Sequence, residues 1–314
     1  MKQPLVILTG PTAAGKTKLS IALAKAIDGE IISADSMQVY RHMDIGSAKV
    51  RPEEMEGIPH HLIDILDPAE DFNVVRFQSL AKRALKEIYG RNRIPIVTGG
   101  TGFYIQALLY DIDFTENQER PEVREKLEAL AAEKGAEALY ELLKKADPRA
   151  AEQVHANNVK RVIRALEYYQ LTGKRISEHN EAQQQKESPY NGAYFVLNDE
   201  RERLYARIDA RVDAMLEEGL LEEVKTLQAM GCSRGMVSMQ GLGYKELLSH
   251  LEGEISLVEA IRILKRDTRH FAKRQLTWFR RERDVIWLNQ QDYQYNQERI
   301  QSRMLDILKE KRIL

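Results

Sequence analysis

Residues 4–27 read PLVILTGPTAAGKTKLSIALAKAI, and this stretch decides the fold. It opens with a short apolar run, the pattern of a buried strand. TKLSIALAKAI then carries helical spacing. Between them GPTAAGKT satisfies G-x-x-x-x-G-K-[ST] without a mismatch, through Gly10, Gly15, Lys16 and Thr17. The glycines let the backbone wrap a phosphate with its N–H groups, and the helix N-terminus adds partial positive charge. Gly10, Pro11, Thr12, Ala13, Ala14, Gly15, Lys16 and Thr17 are therefore expected to form a phosphate or diphosphate cradle. Lys16 neutralises phosphate oxygens, and Thr17 is placed to hold Mg²⁺. The motif does not say which molecule carries the phosphate.

Outward from the cradle, strands and helices alternate. GEIISAD and RIPIVTGG read as further strands, IPHHLIDIL as a weaker one, and FNVVRFQSLAKRALKEIYGRN as an amphipathic helix. That alternation implies an α/β fold, a P-loop NTPase-like parallel sheet flanked by helices. From residue 113 the chain turns helical and polar. PEVREKLEALAAEKG, DPRAAEQV and NNVKRVIRALEYYQLTGK carry helix-start and helix-stop residues. Residues 113–191 are expected to be an all-helical insertion domain, with 1–112 and 192–314 forming the catalytic core. NGAYFVLN reads as the return to the sheet, a long helix is expected near 256–281, and RDVIWLN as a last strand. EAQQQKE reads as a solvated loop and the C-terminal tail as a surface helix.

Composition narrows the partners. In 314 residues, 47 Lys and Arg face 48 Asp and Glu, a net charge of −1. A nucleic-acid partner would need a local basic face. The single cysteine, Cys232, allows neither an internal disulfide nor a cysteine-based zinc site. No apolar run approaches the roughly 18 residues of a membrane span, so a soluble cytoplasmic protein is expected.

Asp35 follows Lys16 by one helix and one strand. In a parallel sheet the C-terminal strand ends share an edge, so Asp35 should lie near the cradle. A carboxylate there repels phosphate. It makes sense as a proton acceptor for a second substrate, or as a helix cap or part of a metal's surroundings. GGTG at 99–102 is a second glycine-rich turn at the same edge, offering the Thr101 hydroxyl. The best strand, IPIVTGGTG, ends in Thr98, Gly99, Gly100 and Thr101 rather than in the carboxylate that a switch or motor NTPase uses around Mg²⁺, and Asp64 in LIDIL is a weak substitute. A transferase fits better.

With GPTAAGKT, ISADSMQVYRHMDIGSAK, HHLIDI, VTGGTGFYIQALL, NNVKRVIRALEYYQLTGK, RIDARVDAMLEEGLLEEV, QGLGYKE and KRDTRHFAKRQLTWFRR on the page, the chain resembles the tRNA dimethylallyltransferases, the bacterial tRNA isopentenyltransferase family. The likeness runs over roughly residues 4 to 290 in family order. It implies transfer of a dimethylallyl group from dimethylallyl diphosphate to N6 of the adenine 3′-adjacent to the anticodon in tRNA. It makes the cradle a grip on the leaving diphosphate and Asp35 the acceptor of the amine proton, with Thr101 close by. It implies tRNA contacts from Asp35, Ser36, Met37 and Gln38, the last suited to an adenine edge. Further contacts fall on Arg124, on Val159, Lys160, Arg161, Val162 and Ile163, and on Gln240, Gly241, Gly243, Tyr244 and Lys245 in an RNA-facing loop. Arg207, four residues before Arg211 on one helix face, is expected to reach the donor phosphates. Lys273 and Arg274 are expected near the mouth of the site. The eukaryotic relatives' zinc finger is missing, so no zinc is expected, and the partners are the tRNA anticodon stem-loop and the donor, with the protein a monomer. Three competing readings keep the fold: a small-molecule P-loop kinase, an isopentenyltransferase of free adenine nucleotides, and a non-catalytic RNA-binding protein.

Overall fold

A computed structural model describes residues 2–114 and 121–314. The first apolar run is β1 (Gln3–Thr9), followed by α1 (Lys16–Ala26), β2 (Gly29–Ser33) and β3 (His60–His61). Next come α2 (Val74–Gly90), β4 (Ile94–Gly99) and α3 (Gly102–Leu109). Four helices follow: α4 (Pro121–Ala146), interrupted at Gly135, α5 (Pro148–Gln153), α6 (Val159–Thr172) and α7 (Ile176–Gln185). The chain then forms β5 (Tyr190–Asn198), α8 (Arg201–Glu217), α9 (Leu220–Ala229) and α10 (Tyr244–Leu251). It ends with α11 (Leu257–Phe279), β6 (Val285–Asn289) and α12 (Gln297–Glu310).

All six strands are parallel, in the order β3-β2-β4-β1-β5-β6. β1 lies inside the sheet, and Leu5, Val6, Ile7 and Leu8 are each at most 1% exposed. A strand covered on both faces reads as an unbroken apolar run, which is why this one was legible. The weak third strand shrinks to two residues. The tail departs from expectation more sharply. α12 is not a surface helix: Ile300, Met304, Ile307 and Leu308 are buried in one cluster with Leu19, Leu23 and Ala24 of α1. Its charged face masks an apolar stripe at helical spacing. EAQQQKE likewise is largely helix, since α7 runs to Gln185.

The chain divides into two compact units, residues 1–109 with 189–314, and residues 110–188. The expected joins at 113 and 191 fall slightly later in sequence. β5 is already paired at Tyr190 and Asn191, opposite Gln3 and Pro4. The helical unit has its own core, in which Leu127, Leu139 and Leu143 of α4 meet Val162, Ile163 and Leu166 of α6.

Register brings the motifs together in the larger unit. Thr9 lies opposite Gly99, Ser33 opposite Thr98, and Thr9 also opposite Val196. The segments leaving β1, β2, β4 and β5 therefore emerge along one edge.

Candidate active site

The cradle is a curled loop closed by its own lysine. Gly15, which caps α1, is left-handed at φ 93° and ψ 19°. The Ala14 N–H donates to the Pro11 carbonyl at 3.3 Å. Lys16 then folds back, and its Nζ donates to the carbonyls of Gly10 at 3.0 Å and Pro11 at 2.8 Å. Burial lowers its pKa to about 8, and the positive charge of Arg211 adds to that, while Asp35 opposes it. The ammonium is held by carbonyls, with no carboxylate in ion-pair contact among the described residues, and an incoming anion would restore its charge.

Asp35 lies two residues beyond β2. Its Oδ1 accepts from the N–H groups of Met37 at 2.8 Å and Gln38 at 3.3 Å. No helix starts here, so the helix-cap alternative does not hold; Asp35 instead caps a turn, and that occupies one oxygen. Oδ2 has no hydrogen-bond partner among the described residues. Burial raises the Asp35 pKa, against the two backbone N–H groups and the charge of Lys16. Thr101 hangs from the same place: its N–H donates at 3.2 Å to the carbonyl of Ala34, the residue before Asp35.

Arg207 stands above the cradle. One guanidinium nitrogen lies 3.5 Å from Asp199, and another lies 3.4 Å from where a Cβ on Gly15 would fall. Arg211 has no ion-pair partner among the described residues. Its surface is exposed, yet it is recessed enough that burial, then the charge of Arg207, lowers its pKa. The expectation chose Arg207 and gave Arg211 no separate role, but the pull of Arg211 on Lys16 puts it at the cradle too. Beside Asp199 a hollow of about 280 Å³ is lined in part by Arg201, Lys273 and Arg280. Among the described residues no group of three or more His, Cys, Asp or Glu could cage a metal.

A cradle, a carboxylate and a threonine turn on one sheet edge match a known design. The IPP transferase family model matches residues 38–282, and the isopentenyl transferase model matches residues 3–66. The chain belongs to the IPP transferase family. A tRNA dimethylallyltransferase of Lachnoclostridium phytofermentans is 62% identical over 312 residues, covering 99% of each chain. One from Bacillus licheniformis is 54% identical over 92% of this chain and 91% of its own. Among solved structures, the full-length tRNA isopentenylpyrophosphate transferase of Bacillus halodurans superposes with a TM-score of 0.74 at 46% identity, covering 99% of this chain and 98% of its own. A eukaryotic dimethylallyltransferase, described as acting on tRNA, gives 0.79 at 33% identity, covering 91% and 74%.

In this IPP transferase several residues expected to contact tRNA are buried or bonded within the chain. Tyr244 is fully buried. Its hydroxyl donates to Glu223 at 2.8 Å, and its ring fills the space a Cβ on Gly46 would need. Gly243 is buried as the cap of α10, and Gly241 lies against Met37. Gln240 is exposed and Lys245 partly so. QGLGYKE is therefore mainly a support beneath residues 37–47, not an open RNA-facing loop. Gln38 is also engaged: its Oε1 accepts from Ser33 at 3.2 Å and its Nε2 donates to the Ala48 carbonyl at 3.2 Å. Its Nε2 ties the loop, while Oε1 keeps a second acceptor position beyond Ser33. Ser36 and Met37 remain partly exposed.

Glu223 completes that support and was missed. Its carboxylate accepts from the N–H groups of Asp44, Ile45 and Gly46 at 2.8, 2.7 and 3.0 Å. In LLEEVKTL nothing separates it from Glu222, which pairs with nearby Lys225.

In the helical unit, Val162 and Ile163 are core residues, at 0% and 3% exposure. Helix amphipathicity turns them inward, which leaves Lys160 and Arg161 as the outward side chains of the expected segment. Lys160 and Arg161 are exposed, and Val159 is partly buried. Arg124 lies 3.3 Å from Glu128 and 3.9 Å from Glu167.

Proposed function

We propose that this chain transfers a dimethylallyl group from dimethylallyl diphosphate to N6 of the adenine on the 3′ side of the anticodon in tRNA, releasing diphosphate. The observation that carries the reading is the shared edge. Cradle, Asp35 and Thr101 leave adjacent strand ends, close enough that Lys16 and Asp35 each shift the other's proton equilibrium.

The chemistry follows from charge. The allylic C–O bond breaks, so positive charge grows on carbon and negative charge on the departing diphosphate. Lys16, the free loop N–H groups and Arg207 stabilise the latter. The N6 amine is a poor nucleophile because its lone pair is delocalised into the ring. As its C–N bond forms it loses a proton, and the open Oδ2 of Asp35 accepts it. Thr101 orients the amine from the neighbouring turn. Mg²⁺ fits the first turn of α1, where the Thr17 hydroxyl has no hydrogen-bond partner among the described residues. With one protein oxygen offered, the cation would take its other ligands from diphosphate and water. When bound, it neutralises charge on the leaving group.

The adenine must leave its stack to reach this edge. Lys160 and Arg161 give the helical unit exposed positive charge for tRNA phosphates. The end of β4 argues against a switch NTPase, since Thr98, Gly99, Gly100 and Thr101 stand where such enzymes place a carboxylate.

The test combines purified protein, Mg²⁺, radiolabelled dimethylallyl diphosphate and unmodified tRNA whose anticodon is followed by adenine. AMP and ATP serve as parallel acceptors. Label in tRNA alone is expected. Label in free nucleotide would move the enzyme to the small-acceptor branch. Phosphate transfer from ATP without any allylic donor would make it a kinase.

A further inference from the structure

Gln275 joins the two halves of the site. It lies on α11, far in sequence from both, with 5% of its surface exposed. Its Oε1 accepts from the Thr12 N–H of the cradle at 2.9 Å. Its Nε2 donates to the carbonyl of Gly100, beside Thr101, at 2.9 Å. Both ends of the amide are therefore used at once, one on each glycine-rich turn.

The residue types are the ones this bridge needs. A primary amide offers an acceptor and a donor on adjacent atoms. Glutamate only accepts, and lysine and arginine only donate. The turn makes room: a Cβ on Gly100 would fall 2.2 Å from the Gln275 amide nitrogen. Three residues along the same helix, Trp278 presses on Gly102, where a Cβ would fall 2.2 Å from the ring. Residues three apart share a helix face. Thr101 is thus held between two contacts from α11, and its own N–H holds Ala34 next to Asp35. One unbroken chain of contacts runs from Thr12 through Gln275, Gly100 and Thr101 to Asp35.

We infer that Gln275 is a positioning residue that keeps the donor cradle and the acceptor-side pair, Asp35 and Thr101, in register. The inference rests on the transfer reaction proposed above. Bond exchange between a bound donor and a bound amine needs the reacting atoms about 3 Å apart and aligned, and a shift of about 1 Å can cost about 100-fold. Where the strands end, the Thr9 hydroxyl already donates to the Gly99 carbonyl at 2.7 Å, and beyond that point Gln275 is the side chain that bonds both Thr12 and Gly100 among the described residues.

The test is Gln275→Met, which keeps bulk and removes both hydrogen bonds. Single-turnover transfer is followed with saturating donor and tRNA, and diphosphate affinity is measured separately. The rate constant is expected to fall about 100-fold. Diphosphate affinity should stay within about fivefold, the size of one neutral hydrogen bond. A merely structural role would instead lower the reaction amplitude, the fraction of competent enzyme, at an unchanged rate constant. Combined with Thr101→Ala, the loss should be no larger than the greater single loss, because the bridge acts through that turn. Losses that multiply would overturn the inference. If methionine prevents folding, Gln275→Glu takes its place: it keeps the acceptor for Thr12 and lacks the donor for Gly100. The same fall in rate constant is expected, and an unchanged one defeats the proposal. Wild-type protein that transfers nothing would bring down the parent reading and this one together. Wild-type transfer with an undisturbed variant would bring down this one alone.

Discussion

The sheet edge and the helical unit hold their charges in different company. At the edge, Lys16 is bonded to carbonyls, Asp35 keeps one oxygen open, and Arg211 has no carboxylate within ion-pair reach among the described residues. In the helical unit, charges face each other. Arg124 and Arg164 share the buried Glu167, Lys144 meets Glu141, Arg149 meets Glu181, and Arg175 meets Glu178. Exposed pairs of that kind add little stability. Lys160 and Arg161, like Lys126, Lys134 and Lys145, are exposed and have no ion pair among the described residues, and they differ in sitting side by side in the first turn of α6. At the edge the incomplete groups are recessed, whereas in the helical unit the unpaired lysines face solvent. Incompleteness combined with burial separates the reacting edge from the rest.

The strongest way to break this contrast is at Asp35. Asp35→Asn should lower the single-turnover rate about 1,000-fold, the middle of the range for a lost proton acceptor. Diphosphate affinity should hold or improve, because a repelling carboxylate is gone. An unchanged rate would strip Asp35 of its role as base.

Next comes pH. In the empty cradle Lys16 titrates at about 8, so it is charged below that value and neutral above it. Diphosphate binding should weaken as pH rises past 8, approaching about tenfold per unit. Asp35 acts in the opposite direction. Its pKa is raised by burial, so the rate should fall as pH drops through that raised value and protonates the base. Affinity titrations and rate profiles separate the two, and flat affinity across this range would remove Lys16 from the donor site.

A smaller effect is expected in the helical unit. Replacing Lys160 and Arg161 by alanine should raise the KM for tRNA about tenfold, leave kcat unchanged, and reduce the salt slope of binding by about one per charge. Arg149→Ala, which breaks a pair, should do neither. Smallest of all, Tyr244→Phe should lower stability by about 1 kcal/mol through its lost bond to Glu223. Thermal melting would show it, and tRNA affinity should not move.

Local signals carried much of this into the sequence. The cradle, the strand that feeds it and the position of Asp35 depend on residues adjacent in the chain, so spacing reveals them. Asp35 was legible as either a proton acceptor or a helix cap; the structure replaces the helix cap by a turn cap and leaves one oxygen open. What stayed hidden depends on contacts between distant segments. Glu223 and Gln275 lie on amphipathic helices where a polar residue has many ordinary explanations. Tyr244 was misplaced because two flanking glycines suggest an open loop, whereas they admit a buried ring. α12 was misjudged because its charges outnumber the four residues that anchor it.

The glycines under the distant side chains have a consequence for heredity. Gly46 leaves room for Tyr244, Gly100 for Gln275 and Gly102 for Trp278, with a Cβ falling within 2.6, 2.2 and 2.2 Å of the partner. None of these pairs is close in sequence, yet each is coupled through space. A methyl group gained at Gly46 or Gly102 meets a ring that must shift or shrink, and one gained at Gly100 swings the Gln275 amide off its bonds. Drift among relatives at these six positions should therefore come in matched steps, and a lineage that changes one member alone inherits a displaced helix or loop.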